Sequence, residues 1–178
     1  MELTNHYIGS IKVPDGKIDV TDPCYDKDVW CRKTYDIMPG EYDCYAWTGK
    51  DDICGKRVWT AAILWYDDST FNTYLADDSL WEEVGEIGVD AGLAGFFNHK
   101  PDFSDNEWGR LCDWMHDTSA THNEAKEYDE EYDGEIDAYI KSFDGLDGFW
   151  TESGCGDGVY PVYAIKQDGK IIALKIEF

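Results

Sequence analysis

Apolar residues fall at two different spacings along this chain, and each spacing predicts a different element. Trp108, Leu111, Cys112 and Met115 lie at i, i+3, i+4 and i+7, one stripe of a helix opposite Asn106, Arg110 and Asp113. Ser104 and Glu107 stand just before that stripe at the spacing of a capping box, where the hydroxyl accepts from the amide three residues on and the carboxylate reaches back. The prediction is one amphipathic helix near 105–116, lying on a sheet.

Most of the remaining chain reads as strands and turns. Tyr7 to Val13 and Lys17 to Val20 flank Pro14-Asp15-Gly16, which predicts a first hairpin. Glu41 to Thr48 and Arg57 to Tyr66 predict a second. Glu83 to Val89 and Ala91 to Phe97 are two further strand-forming runs, hinged at Asp90-Ala91-Gly92. At the C-terminus Asp168-Gly169 separates two such runs and sets a register in which Gln167 faces Lys170. Ile165, Tyr163, Pro161 and Val159 then oppose Ile172, Leu174, Ile176 and Phe178 on one wholly apolar face. Pro161 has no N–H to donate, so its strand is expected to be an edge there or to bulge. Between Asp117 and Asp137 acids replace aliphatic residues, which predicts an exposed loop or short polar helix inserted in the fold. The fold predicted is α+β and predominantly antiparallel, a single domain over residues 1–178 with an acidic insertion at about 117–137; a β-sandwich with an inserted helix is the rival form.

Composition changes the picture in two ways. An apolar fraction of 43%, with eight Trp and twelve Tyr, is too much ring surface for a disordered polyacid. A formal charge of −23 makes direct attraction to nucleic acid or anionic lipid improbable and favours basic partners or cations. The run from Met1 to His6 has no signal-peptide pattern, and no apolar run approaches the roughly 20 residues of a membrane span. The expectation is a cytoplasmic protein whose six cysteines, none in a Cys-x-x-Cys pair, are thiols.

Several catalytic signatures fail on spacing. Gly49 to Arg57 is one residue too long for a phosphate loop, and Arg57 stands where Ser or Thr is required. Gly154 to Gly158 leads into a strand, so no helix N-terminus is there to hold a pyrophosphate. The four histidines lack His-Glu-x-x-His spacing, Ser153 is not in a nucleophile elbow, and Asp144 to Gly148 reads as a turn rather than a calcium loop. No cofactor and no metal site is predicted.

Three bends remain: Thr21-Asp22-Pro23-Cys24-Tyr25, Gly88-Val89-Asp90-Ala91-Gly92, and Ser153-Gly154-Cys155-Gly156-Asp157-Gly158-Val159-Tyr160-Pro161. With these segments the chain resembles a bacterial and phage family of domains of unknown function, in which Asp-Pro, Val-Asp-Ala/Ser-Gly and Ser-Gly-x-Gly-Asp-Gly-x-Tyr-Pro follow in this order. Pro39-Gly40-Glu41-Tyr42 matches that family's Pro-Gly-x-Tyr, while the acidic stretch after Asp117 has no counterpart there. The resemblance implies a shared fold and brings no established activity with it.

Each Asp of the three bends stands at a strand end, where a carboxylate accepts from exposed turn amides and would be costly to bury without them. One reading has Asp22, Asp90 and Asp157 capping their own turns separately. The other has them converge on a pocket lined by Tyr25 and Tyr160, with Gly92 and Cys155 beside them, to hold a cation or polar ligand. The functional expectation is a non-enzymatic binding or interaction domain for an unknown protein or small molecule. The alternatives are a nucleic-acid mimic that occupies a DNA-binding protein, and a hydrolase or transferase using Asp22, Asp90 and Asp157 with Cys24 or Cys155 as nucleophile.

Overall fold

The protein is described by a computed structural model covering residues 2–25, 31–52, 55–66, 77–128 and 136–178. Eleven strands among the described residues form two antiparallel sheets packed face to face. The larger has the order β1 (Thr4–Val13), β4 (Gly40–Asp51), β5 (Gly55–Trp65), β11 (Lys170–Glu177), β10 (Gly158–Gln167), β6 (Glu82–Val89). The smaller runs β3 (Arg32–Asp36), β2 (Lys17–Thr21), β7 (Leu93–Asn98), β9 (Leu146–Glu152), β8 (Ala138–Phe143). The predominantly antiparallel α+β expectation holds, in its sandwich form.

The period of two explains why both sheets bury one face. Ile11, Val13, Tyr42, Cys44, Ala61, Ile63, Ile87 and Val89 project from the larger sheet into a common core. Ile18, Val20, Ala94, Phe96 and Phe149 meet them from the smaller one, with the Phe96 and Phe149 rings stacked. The smaller sheet is also covered on its outer face by helix α1 (Asp105–Tyr128), whose Trp108, Leu111 and Met115 pack on Leu93, Phe97, Leu146 and Trp150. The capping box forms as predicted: the Ser104 amide donates to Glu107 Oε2 at 2.6 Å and the Glu107 amide to Ser104 Oγ at 3.3 Å.

Three expectations need correction. The first two strands are not a hairpin: β1 pairs with β4 in one sheet, and β2 pairs with β3 and β7 in the other. Pro14-Asp15-Gly16 turns the chain, but it turns it from one layer to the next. The helix does not stop near residue 116 and continues to Tyr128, through the first part of the acidic stretch read as a loop or short polar helix; residues 129–135 lie outside the described residues. The C-terminal hairpin starts in the expected register, Gln167 on Lys170 and Lys166 on Ile171, with Asp168 and Gly169 both at positive φ (50° and 77°). A bulge then puts Ile165 on Ala173 and Val162 on Ile176. The predicted apolar face therefore divides: Leu174 and Ile176 enter the core together with Val162 and Ala164 of the opposite predicted face, while Ile165 and Ile172 form a cluster on the outer side with Ala173, Tyr45, Ala62 and Leu64. The expectation for Pro161 holds: β10 is interior to its sheet, but Pro161 itself lies beyond the last β11 pair, opposite Glu86 of β6 alone and next to a register shift at Val162/Tyr163.

Candidate functional site

The topology forces three chain segments together at one end of the sandwich. In the larger sheet the end of β6 pairs with the start of β10, Val89 on Gly158. In the smaller sheet the start of β7 pairs with the end of β9, Leu93 on Glu152. The connections β6 to β7 and β9 to β10 thus cross between the layers side by side. Thr21, the last residue of β2, pairs with Gly95 of β7, so the bend at Asp22 opens beside them.

The three bends are joined by hydrogen bonds, and the acceptors are the aspartates. Asp22 is fully buried and accepts three amides: Cys24 N at 2.9 Å on Oδ1, and Asp90 N at 2.9 Å and Ala91 N at 2.8 Å on Oδ2. Asp157 Oδ1 accepts the amide of Gly92 at 3.1 Å, and the Ser153 amide donates to the Gly92 carbonyl at 3.0 Å. Tyr25 donates its phenol to Asp90 Oδ2. Gly92 sits at φ +67°, in the left-handed region that turns consecutive amides of this bend toward their acceptors at low cost. The arrangement is neither of the two expected ones. Asp22 caps its own turn and the neighbouring one, Asp157 caps the neighbour's, and the amides supply the positive charge density that lets carboxylates gather.

Of the seven residues singled out from sequence, Asp22 lies beneath the surface, Asp90, Cys155 and Asp157 are exposed on it, and Tyr25, Gly92 and Tyr160 are half-buried between. Burial pushes the Asp22 carboxyl upward, and its three amide donors draw it back only in part. Tyr160 turns inward: its hydroxyl donates to the Gly156 carbonyl at 2.7 Å, its ring meets Phe178 edge-on at 5.2 Å, and burial with the Asp157 charge pushes its phenol pKa upward. Cys155 is disulfide-bonded, which corrects the expectation that every cysteine is a thiol and removes that residue as a nucleophile. Among the described residues no group of three or more His, Cys, Asp or Glu side chains is placed to share a metal ion. A cavity of about 440 Å³ lies at the far end of the sandwich, lined by Asp15, Asp36, Pro39 and Lys170 among others. No helix among the described residues is long and apolar enough to cross a membrane.

Two groupings were not anticipated. Asp19 is buried under Thr34, which donates to it at 2.5 Å, and it holds His99 Nδ1 at 3.0 Å. The pairing of β2 with both β3 and β7 brings these three together, so only knowledge of strand order would have revealed them. Cys24 of the Asp22 bend also packs against the aromatic cluster beneath α1, the helix that carries Cys112. A tertiary contact between a loop and a helix leaves no local spacing to detect.

A comparison with curated proteins finds no significant match, and a comparison with solved structures finds none either. A family model described as "Protein of unknown function (DUF4241)" matches residues 11–176, a span that holds all three bends and at least part of every strand. The chain belongs to the DUF4241 family.

Proposed function

We propose that this domain is a binding module and that the surface built from the three bends receives a cationic group of a protein or small-molecule partner. The observation that supports it best is the cross-capping itself. Asp22 and Asp157 hold bends from three separate parts of the chain in one arrangement, leaving the carboxylates of Asp90 and Asp157 exposed beside glycine backbone. A pre-set surface of that kind binds without losing loop entropy, and a molecule of charge −23 draws basic groups toward it. Catalysis is the weaker reading, because Asp22 is inaccessible with its oxygens occupied by amides and Cys155 is bridged. Nucleic-acid mimicry requires a continuous acidic stripe. Cationic partners interrupt the described acids, with Lys166 on Glu82, Arg57 on Glu152 and Lys175 on Glu177, which counts against it.

The reading is tested by titrating isotope-labelled protein with a short arginine-rich peptide and following backbone amide resonances. Shifts should concentrate at Asp90 to Gly92 and Gly154 to Gly158, and the paired substitution Asp90→Asn with Asp157→Asn should weaken binding at least tenfold. Shifts distributed evenly over the acidic surface, or an affinity indifferent to that pair, would overturn the proposal.

A further inference from the structure

The cavity of about 440 Å³ at the end of the sandwich opposite the three bends is walled by three connections. Asp15 and Gly16 come from the turn between β1 and β2, Asp36, Ile37 and Pro39 from the end of β3 and its link to β4, and Lys170 from the start of β11. Backbone bonds lock these walls to one another. The Ile37 amide donates to the Gly16 carbonyl at 2.8 Å, and the Met38 amide to the Ile171 carbonyl at 2.8 Å. Gly16, at φ +63°, permits this approach, because a Cβ there would lie 2.8 Å from the Ile37 carbonyl oxygen. Gly16 and Ile37 are buried while Asp15, Asp36, Pro39 and Lys170 are exposed, so the hollow opens to solvent from a fixed backbone floor. Its volume falls in the range of small-molecule sites.

We propose that this cavity binds a free basic amino acid. The lining carries two carboxylates, Asp15 and Asp36, and one ammonium, Lys170, and none of these three side chains makes a hydrogen bond or ion pair among the described residues. Asp36 stays apart even from Lys17, its cross-strand partner. Charges of opposite sign that share a hollow, yet are held from one another by a fixed backbone, are left for an occupant to satisfy. The complement of two negative groups and one positive is two positive groups and one negative. A basic amino acid carries that set: its α-ammonium and side-chain cation meet Asp15 and Asp36, and its carboxylate meets Lys170. Ile37 and Pro39 offer apolar surface to its methylene stem. A purely cationic ligand would set a further positive charge beside Lys170, and a simple zwitterion would leave one carboxylate unmatched. The charge of −23 draws basic solutes to the molecule as a whole, and Lys170 is the group that selects among them for a carboxylate.

The test uses the full chain, isotope-labelled at its backbone amides and titrated with L-arginine. Three analogues each lack one of its charges: agmatine the carboxylate, Nα-acetyl-L-arginine the α-ammonium, and L-citrulline the side-chain cation. L-Arginine should shift the amides of Asp15 to Lys17, Asp36 to Met38 and Gly169 to Ile171, and each analogue should bind at least tenfold more weakly. Lys170→Gln, a change at an exposed position, should weaken L-arginine but not agmatine, a selective loss that a general disturbance of the fold would not produce. Absence of shifts in those segments at millimolar L-arginine, agmatine binding as tightly as L-arginine, or an undiminished preference for L-arginine in Lys170→Gln would refute the assignment. The titration with unsubstituted protein decides the first two of these, whatever the variant does. The surface at the three bends lies at the opposite end of the sandwich, so failure of either site leaves the other standing.

Discussion

At the scale of single residues, the balance at Asp22 is between a buried charge and the amides that surround it. An uncompensated carboxylate in the interior costs several kcal/mol, and three N–H donors offset that cost without making the site favourable to ionisation, as the upward shift of Asp22 shows. Asp22→Asn removes the charge but puts an amide NH₂ where a carboxylate oxygen accepted, so at least one backbone N–H of Cys24, Asp90 or Ala91 is left facing a donor. A loss of about 1–2 kcal/mol is expected after relief of the charge burial, read as a lower urea midpoint with faster amide exchange at the orphaned position. Tyr35 presents the opposite case. Its ring is buried in the core and its hydroxyl has no hydrogen-bond partner among the described residues. Tyr35→Phe deletes an unsatisfied polar atom while keeping the ring, and should raise stability by about 1 kcal/mol in the same denaturation measurement. At this scale the sequence was informative about Asp22, Asp90 and Asp157, because Asp beside Gly or Pro at a strand end announces a carboxylate near exposed amides. It was silent about Asp19 and Tyr35, whose roles depend on what lies across the sheet.

At the scale of elements, local chemistry decided what was legible. The Ser104–Glu107 box and the Asp168-Gly169 turn are satisfied by atoms a few residues away, and both form as the pattern indicates. The bulge after Lys166 was invisible, because a run that is apolar at nearly every position from Ile171 to Leu174 fits either face and so does not resist a shift of one residue. Pro14-Asp15-Gly16 misled for a related reason: a tight turn between two strand-forming runs has the same composition whether the strands pair or separate into different layers. Close approach of backbones within the smaller sheet gives an element-scale prediction. A Cβ at Gly95 would lie 2.6 Å from Trp150 Cβ, and Gly95 pairs directly with Trp150 in the β7–β9 ladder. Gly95→Ala must therefore displace β9 or Trp150, whose ring stacks on Phe97 and packs under the helix. Destabilisation of about 3 kcal/mol is expected, with near-ultraviolet circular dichroism of the tryptophans altered more than the far-ultraviolet signal.

For the whole molecule, the sandwich must hold together a chain of charge −23, and it does so with rings whose hydroxyls are buried as well as with aliphatic side chains. Burial raises Tyr35 from 10.0 to about 12 and pushes Tyr42 and Tyr45 higher still, against the opposing bond from Tyr42 to the Met38 carbonyl. The sign follows from which state holds the proton. The folded protein keeps these phenols neutral where the unfolded chain ionises them, so their contribution is complete below pH 10 and is lost as pH rises from there toward the folded values. Each such phenol removes about 1.4 kcal/mol per pH unit within that window. Urea midpoints should accordingly hold steady through the neutral range and fall steeply between about pH 10 and 11. General repulsion also grows with pH, but it is screened by salt, whereas proton linkage at a buried phenol is not. Raising sodium chloride to about 0.5 M should lift the whole curve and leave its alkaline fall in place. Tyr35→Phe should make that fall shallower by one phenol's share; a fall that salt abolishes would place the alkaline limit in surface repulsion instead of the aromatic core.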